Sequence, residues 1–245
     1  KENRALPGAQ DFISALEENG IPFLVLTNNS IFTNRDLSAR LANSGLKVPE
    51  EHIWTSANAT AAFLSQQSPN STAYVIGEAG LTTALHTAGY VMTDQDPEYV
   101  VLGETRFYDF YALTTAIRLI ERGAKFIATN PDVSGPSDEG TLPAAGSIAA
   151  MIQAATGKAP YFVGKPNPVM IRAGLNKIGA HSEQAAMVGD RMDTDVRAGV
   201  EAGMRTFLVL SGSTHSDDVA NFPYRPFRIY DGIGDLIRYV QPASN

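Results

Sequence analysis

Three segments of the chain end in residues that could bind a phosphate group and a divalent cation. They are residues 24–30 (Leu-Val-Leu-Thr-Asn-Asn-Ser), 163–168 (Val-Gly-Lys-Pro-Asn-Pro) and 187–195 (Met-Val-Gly-Asp-Arg-Met-Asp-Thr-Asp). Each begins as an apolar, strand-like run and ends in polar residues. Because ligands bind at the carboxyl ends of the strands in open α/β sheets, we expect the three ends to share one site. Together they offer a hydroxyl, an ammonium group and a pair of carboxylates.

The third segment carries the strongest signal. A strand that ends in Gly-Asp, followed by a helix from about residue 194, places Asp190 at the sheet edge and Asp195 in the first helical turn. Mg²⁺ prefers hard oxygen ligands and keeps several waters, so one or two carboxylates and a substrate phosphate are enough to bind it. The structural alternative is that Asp190 is a turn residue and Asp195 stabilises the helix N-terminus. Asp193 is interpreted as an exposed loop carboxylate.

The first two segments could bind the phosphate group. Thr27 ends a strand, and its hydroxyl and the N–H groups that follow it, at Asn28 and Asn29, can donate to phosphoryl oxygens. The same Thr-Asn-Asn-Ser sequence is also a common turn. Lys165 lies between a glycine and a proline at another strand end, where a fixed cation could neutralise charge on a transferring phosphoryl group. Its structural alternative is a solvated loop lysine.

Helices and strands alternate along the chain, which predicts an α/β fold with a mostly parallel, doubly wound sheet. A turn-rich break near residues 68–72 suggests a boundary. We therefore predict that residues 1–70 and 161–245 form one domain and that a smaller α/β module, residues 71–160, is inserted into it. Within that module, a Gly-, Pro- and Asp-rich stretch at residues 130–145 is predicted to be a long loop.

Composition excludes several classes of function. The net charge of -7 and the pI near 5.1 argue against a nucleic-acid or anionic-membrane partner. No apolar run approaches the roughly 18 residues that a membrane helix needs. The chain has no cysteine, so disulfides, thiolate nucleophiles and Cys-ligated zinc are excluded. We expect a cytoplasmic protein.

The order, placement and local sequence of the three segments resemble the haloacid dehalogenase (HAD)-like hydrolase superfamily, specifically its NagD-like phosphatases. The residues that match the family's second, third and fourth motifs are, in order, Thr27 with Asn28 and Asn29, Lys165, and Asp190 with Asp195. Residues 103–106, 128–132 and 209–212 also resemble NagD-type signatures. The likeness covers essentially the whole chain, and the inserted module resembles the family's α/β cap domain.

The resemblance implies a Mg²⁺-dependent phosphomonoester hydrolase that works through an aspartyl-phosphate intermediate. Asp190 would ligate Mg²⁺, while Asp195 would support the metal indirectly or orient Lys165. Thr27 and the Asn28 backbone would hold phosphate oxygens. The implied substrates are nucleoside monophosphates or small sugar and cofactor phosphates, and the implied assembly is a homodimer formed through the caps.

The family's first motif, Asp-x-Asp-Gly after a strand, does not occur in the 245 residues. Residues 1–8 resemble the stretch that follows it. We therefore expect the nucleophilic and acid/base aspartates to lie outside this chain, and the chain alone to be inactive. The alternative is a catalytically dead HAD-like protein that binds a phosphorylated metabolite or a partner. A further alternative transfers the phosphoryl group to an acceptor other than water.

The inserted module holds further candidates for substrate binding, namely Glu104, Arg106, Asn130 and Asp132, together with the acidic pair at residues 138–139 of the long loop. Arg106 could bind a distal phosphate or carboxylate of the substrate bidentately, or could be a surface ion-pair partner. We interpret Trp54 and the aromatic residues between 107 and 111 as packing residues.

Overall fold

The computed structural model describes residues 4–137 and 140–240, which form two compact units. One unit contains residues 26–34 and 54–170. The other contains residues 4–25, 35–53 and 171–240. Two short strands, β1 (Val25–Thr27) and β2 (Ile53–Thr55), pair with each other where the chain passes from one unit to the other.

A five-stranded parallel sheet forms the centre of the unit that contains residues 54–170. Its strands, in spatial order, are β4 (Val91–Met92), β3 (Thr72–Ile76), β5 (Tyr99–Leu102), β6 (Lys125–Ala128) and β9 (Tyr161–Phe162). The helices of this unit are α3 (Ser56–Gln67), α4 (Ala79–Thr87), α5 (Phe110–Glu121) and α6 (Ala145–Thr156). Helix α3 begins with a capping box in which Thr55 accepts from the N–H of Asn58 at 3.0 Å.

The sheet is covered by helices on both faces. Side chains alternate along the fully buried strand β5: Val101 packs with α3 and α4 in one apolar cluster, and Val100 and Leu102 pack with α5 and α6 in another. Because successive side chains of a strand point to opposite faces, a continuous apolar run is what a strand between two helical layers requires.

The other unit contains a three-stranded parallel sheet with the order β10 (Ala186–Gly189), β11 (Arg205–Val209) and β12 (Arg228–Tyr230). The helices that lie wholly or mostly in it are α1 (Ala9–Glu18), α2 (Asn34–Asn43), α7 (Pro168–Lys177), α8 (Arg197–Glu201) and α9 (Ile237–Val240). Its buried apolar side chains form two clusters, one around Ile13, Phe23 and Ile53 and one around Met192 and Leu208.

The predicted α/β fold with a parallel sheet is confirmed, while the domain boundaries near residues 70 and 160 stay a prediction. One local prediction was wrong. The predicted loop at residues 130–145 contains an antiparallel pair, β7 (Ser134–Ser137) and β8 (Gly140–Pro143), which lacks the apolar alternation of a half-buried strand. The helix predicted from residue 194 is present, and it begins as a π-helical turn (Met192–Val196) that continues as α8. Among the described helices, none is long and apolar enough to cross a membrane.

Candidate functional site

The loop that follows β1 is held in place by its own side chains. The hydroxyl of Thr27 accepts a hydrogen bond from the N–H of Asn29 at 3.1 Å. The side-chain oxygen of Asn29 accepts from the N–H groups of Ile31 and Phe32, both at 3.1 Å. The Asn29 side chain therefore closes the turn, as the structural reading of Thr-Asn-Asn-Ser predicts.

The carboxamide of Asn28 contacts the main chain of Lys165, which is 137 positions later in the sequence. Its Oδ1 accepts from the N–H of Lys165 at 2.8 Å, and its Nδ2 donates to the carbonyl of Lys165 at 3.0 Å. The ammonium group of Lys165 donates to the carbonyl of Leu26 at 3.3 Å. The structure thus brings together the predicted phosphate-binding loop and the predicted catalytic lysine.

Three of the four candidates from the inserted module join this cluster. Asp132 accepts from Nδ2 of Asn28 at 2.8 Å. The fully buried Asn130 donates to the carbonyl of Asn28 at 3.0 Å and to Glu104 at 3.3 Å. Burial raises the pKa of Glu104, and the nearby charge of Asp132 raises it further, against the lowering effect of the Asn130 hydrogen bond. Arg106 is exposed and forms no hydrogen bond or ion pair with any other described residue.

The acidic pair predicted at residues 138–139 lies outside the described residues. The packing role predicted for the aromatic residues is wrong for three of them, because Phe107, Phe110 and Tyr111 are 83%, 87% and 75% exposed. Trp54 is half-buried, packs against an apolar cluster and donates to the carbonyl of Met170 at 3.3 Å, as expected of a packing residue.

Asp190 and Asp195 lie together in the other unit. Asp190 directly follows β10, and its Oδ2 accepts from the N–H of Ser213 at 2.7 Å. Asp195 is only 5% exposed, and its Oδ2 accepts from the N–H groups of Asp190 at 3.2 Å and Arg191 at 3.1 Å. The Asp195 carboxylate therefore fixes the backbone from which the Asp190 side chain projects.

Each of these two carboxylates packs against a glycine. A Cβ atom at Gly212 would lie 2.1 Å from Oδ2 of Asp190, and one at Gly189 would lie 2.4 Å from Oδ2 of Asp195. The sequence placed Gly212 in a segment, residues 209–212, that resembles a NagD-type signature, but it predicted neither the contact with Asp190 nor any role for Ser213. No local pattern shows which side chain a glycine must accommodate.

Asp193 differs from its two neighbours, because it is exposed and pairs with Arg191 at 2.7 Å. Partial burial disfavours ionisation of Asp193, but the hydrogen bond and charge of Arg191 outweigh it and lower the pKa. The exposure agrees with the expectation, but Asp193 lies in the π-helical turn and not in a loop.

The donor set around Asp190 fits a small divalent cation. No group of three or more His, Cys, Asp or Glu side chains with metal-binding geometry occurs among residues 4–137 and 140–240. Mg²⁺ does not need such a cage, because it takes one or two protein carboxylates and completes its shell with waters and substrate oxygens. A carboxylate held by one N–H donor and packed on a glycine provides a fixed oxygen ligand of that kind.

Two family models match the chain. The model for haloacid dehalogenase-like hydrolases matches residues 1–91, and a HAD-hydrolase-like model matches residues 162–236. The chain is 61% identical over 236 residues to a dihydroxyacetone phosphatase of Corynebacterium glutamicum (strain R), covering 96% of this chain and 86% of that protein. It is 43% identical over 235 residues to the ribonucleotide monophosphatase NagD of Escherichia coli (strain K12), covering 96% and 92%.

Solved structures agree with these relatives. NagD from Escherichia coli K-12 superposes with a TM-score of 0.91 at 43% identity, covering 96% of this chain and 92% of that one. A 4-nitrophenylphosphatase from Thermotoga maritima superposes with a TM-score of 0.91 at 36% identity, covering 96% and 91%. With this fold and these relatives, the chain belongs to the haloacid dehalogenase-like hydrolases, within the NagD-like phosphatase family.

Proposed function

We propose that the complete protein is a Mg²⁺-dependent phosphatase that hydrolyses small phosphomonoesters. The observation that carries the proposal is the fixed carboxylate of Asp190 at the carboxyl end of β10, held by Ser213 and packed on Gly212. A carboxylate held this way has little freedom to reorganise when it binds a cation, which is the requirement for electrostatic catalysis of phosphoryl transfer.

The proposed substrate class is a small sugar phosphate. The relative with 61% identity is named a dihydroxyacetone phosphatase, and a relative from Staphylococcus aureus with 38% identity is named an acid sugar phosphatase. NagD, with 43% identity, is named a ribonucleotide monophosphatase, which keeps nucleoside monophosphates as the second class. The higher identity supports a triose phosphate as the first substrate to test.

The proposed roles follow from the chemistry of each side chain. Thr27 and the backbone of Asn28 hold phosphoryl oxygens, and the ammonium group of Lys165 offsets their negative charge. Asp190 holds the cation, and Asp195 fixes the main chain at Asp190 through its bonds to two successive N–H groups. When bound, Mg²⁺ would supply Lewis-acid stabilisation of the charge that develops on the phosphoryl group.

The attacking carboxylate is proposed to lie outside the 245 residues, since no Asp-x-Asp-Gly sequence occurs within them. It would form a bond to phosphorus as the ester oxygen leaves with a proton. Water would then cleave the resulting aspartyl phosphate to release inorganic phosphate. The 245-residue chain alone is accordingly proposed to be inactive. The homodimer, the cytoplasmic location and the lack of nucleic-acid and membrane partners stay predictions.

The test is turnover by the full-length natural protein with dihydroxyacetone phosphate, a ribonucleoside monophosphate and 4-nitrophenyl phosphate, with and without Mg²⁺. Asp190→Ala should abolish Mg²⁺-dependent turnover while circular dichroism shows an intact fold. Asp193→Ala is the matched control, because it removes an exposed carboxylate three positions from Asp190 and should leave turnover unchanged. Undiminished turnover by Asp190→Ala would refute the proposal that Asp190 binds Mg²⁺.

The alternative is a non-catalytic protein that binds a phosphorylated metabolite, favoured by the lack of the nucleophile motif in the 245 residues. Binding of phosphate and Mg²⁺ would separate the two functions poorly, because both proteins could bind them. Hydrolysis of 4-nitrophenyl phosphate separates them well. A full-length protein that binds phosphate but turns over none of the three esters would establish the alternative.

A further inference from the structure

Asn28 and Lys165 are held by a partly buried polar network, and the proposed catalytic roles do not use its side-chain contacts. We infer that Asp132 is a positioning residue, which orients the carboxamide of Asn28 and through it fixes the main chain that carries Lys165. This inference rests on the proposed function, because it assigns the network a purpose in phosphoryl transfer. It differs from the sequence prediction, which made Asp132 a candidate for direct contact with substrate.

The first step is the two-point contact between Asn28 and Lys165. One carboxamide binds both the N–H and the carbonyl of the same residue, at 2.8 and 3.0 Å, as a neighbouring strand would. Such a pair fixes the orientation of the peptide as well as its position. The Cα atom of Lys165 is therefore held in a defined position, which restricts the positions that its ammonium group can occupy.

The second step is the direction of the carboxamide. The oxygen and nitrogen of an asparagine side chain are nearly identical in shape, and only their partners distinguish them. An ionised Asp132 can only accept, so its 2.8 Å contact with Asn28 must come from Nδ2. This leaves Oδ1 of Asn28 for the N–H of Lys165. Asp132 therefore favours the one orientation that binds Lys165, the same orientation that the Lys165 carbonyl requires.

The third step is the support behind the pair. Asn130 donates to the carbonyl of Asn28 at 3.0 Å and accepts from the N–H of Asp132 at 3.1 Å, so it ties both partners together. Ser56 also donates to the carbonyl of Asn28, at 2.7 Å. At Gly164, a Cβ atom would lie 2.7 Å from Oδ1 of Asn28, so the carboxamide reaches this main chain only because residue 164 is glycine.

Direct substrate binding explains these residues less well. Asn130 has no exposed surface, and its amide nitrogen already donates to Asn28 and Glu104. Asp132 carries the same sign of charge as a phosphate ester, and like charges at contact distance repel. A carboxylate that accepts from a neutral amide instead gains a charge-assisted hydrogen bond.

The first test measures the amide hydrogen exchange of Lys165 by NMR in the full-length natural protein, a readout that does not depend on turnover. Asp132→Ala should speed exchange at Lys165 by about tenfold to 100-fold, the loss of a hydrogen bond to a charged group. Asp132→Asn should keep the rate close to that of the wild type, because its side-chain oxygen can still accept from Asn28. Tyr90→Phe is the control, since it removes a buried hydroxyl of the same unit that lies outside the network.

The second test is a double-mutant cycle on kcat/KM in the full-length protein. Asp132→Ala and Asn28→Ala should each lower kcat/KM by about tenfold or more, and the double variant should be no worse than Asn28→Ala alone. Additive losses would overturn the inference, as would unchanged exchange at Lys165 in Asp132→Ala. If the wild type hydrolyses no phosphomonoester, the proposed function fails, and the exchange measurement still decides whether Asp132 fixes Lys165.

Discussion

Replacing Gly212 by alanine tests whether the position of the Asp190 carboxylate limits the reaction. The added Cβ would lie 2.1 Å from Oδ2 and 2.4 Å from Cγ of Asp190, whereas ordinary contacts begin near 3.4 Å. The carboxylate or the loop that carries Gly212 must therefore move by about 1.3 Å. The backbone of Gly212 does not have a positive φ, so the effect is steric and not conformational.

The expected magnitude follows from the size of that displacement. A shift of about 1 Å in a catalytic group costs about 100-fold in rate, and overpacking a tight contact costs about 1–3 kcal/mol of folding free energy. In the full-length protein, Gly212→Ala should thus lower kcat by about 100-fold and raise the Mg²⁺ concentration needed for half-maximal activity. Chemical denaturation should show the accompanying loss of stability.

Gly232→Ala is the matched control. Gly232 lies in the same unit and has φ -154° and ψ 171°, and a Cβ atom added there would have no neighbouring atom within 4 Å. It should leave turnover and Mg²⁺ dependence unchanged. If Gly212→Ala instead keeps the activity and Mg²⁺ dependence of the wild type, the loop around residue 212 shifts while the Asp190 carboxylate stays in place. That result would refute the claim that this contact fixes the carboxylate.

Three further substitutions test the electrostatics and packing. Burial raises the pKa of Glu104, so the free energy of unfolding should fall as pH rises above about 4.5. Glu104→Gln should remove this pH dependence, which urea titrations from pH 4 to 8 would measure. Hydrogen bonds, first of all from Lys125, lower the pKa of Glu98 to about 2. Stability should therefore be lost as pH falls from 4.5 towards 2, and Glu98→Gln should flatten this loss, which is under about 1 kcal/mol because the carboxylate is 35% exposed. Tyr90→Phe should lower the free energy of unfolding by about 1–3 kcal/mol, because the buried Tyr90 hydroxyl donates to two backbone carbonyls. An unchanged midpoint in thermal or chemical unfolding would contradict this.

Local patterns predicted the parts of the fold that depend on burial along one segment. The run Tyr-Val-Val-Leu of β5 is apolar at every position because helices cover both faces of its sheet, and such a run can be recognised without knowledge of its neighbours. The antiparallel pairing of β7 and β8 was missed because its described side chains are largely exposed, and an exposed pair of strands has no apolar pattern in its sequence. The aromatic residues at 107, 110 and 111 were misjudged for the related reason that hydrophobic side chains also occur at surfaces.

The sequence by itself determined the α/β class, the family and the chemical types at the candidate site, because these depend on composition, local periodicity and short motifs. Only the tertiary structure decided which groups touch. Asn28 binds Lys165 across 137 positions, and Asp190 packs on Gly212 through a loop that returns to the end of β10. Such contacts depend on how separate segments approach one another in space, and no residue carries a local sign of a partner so far along the chain.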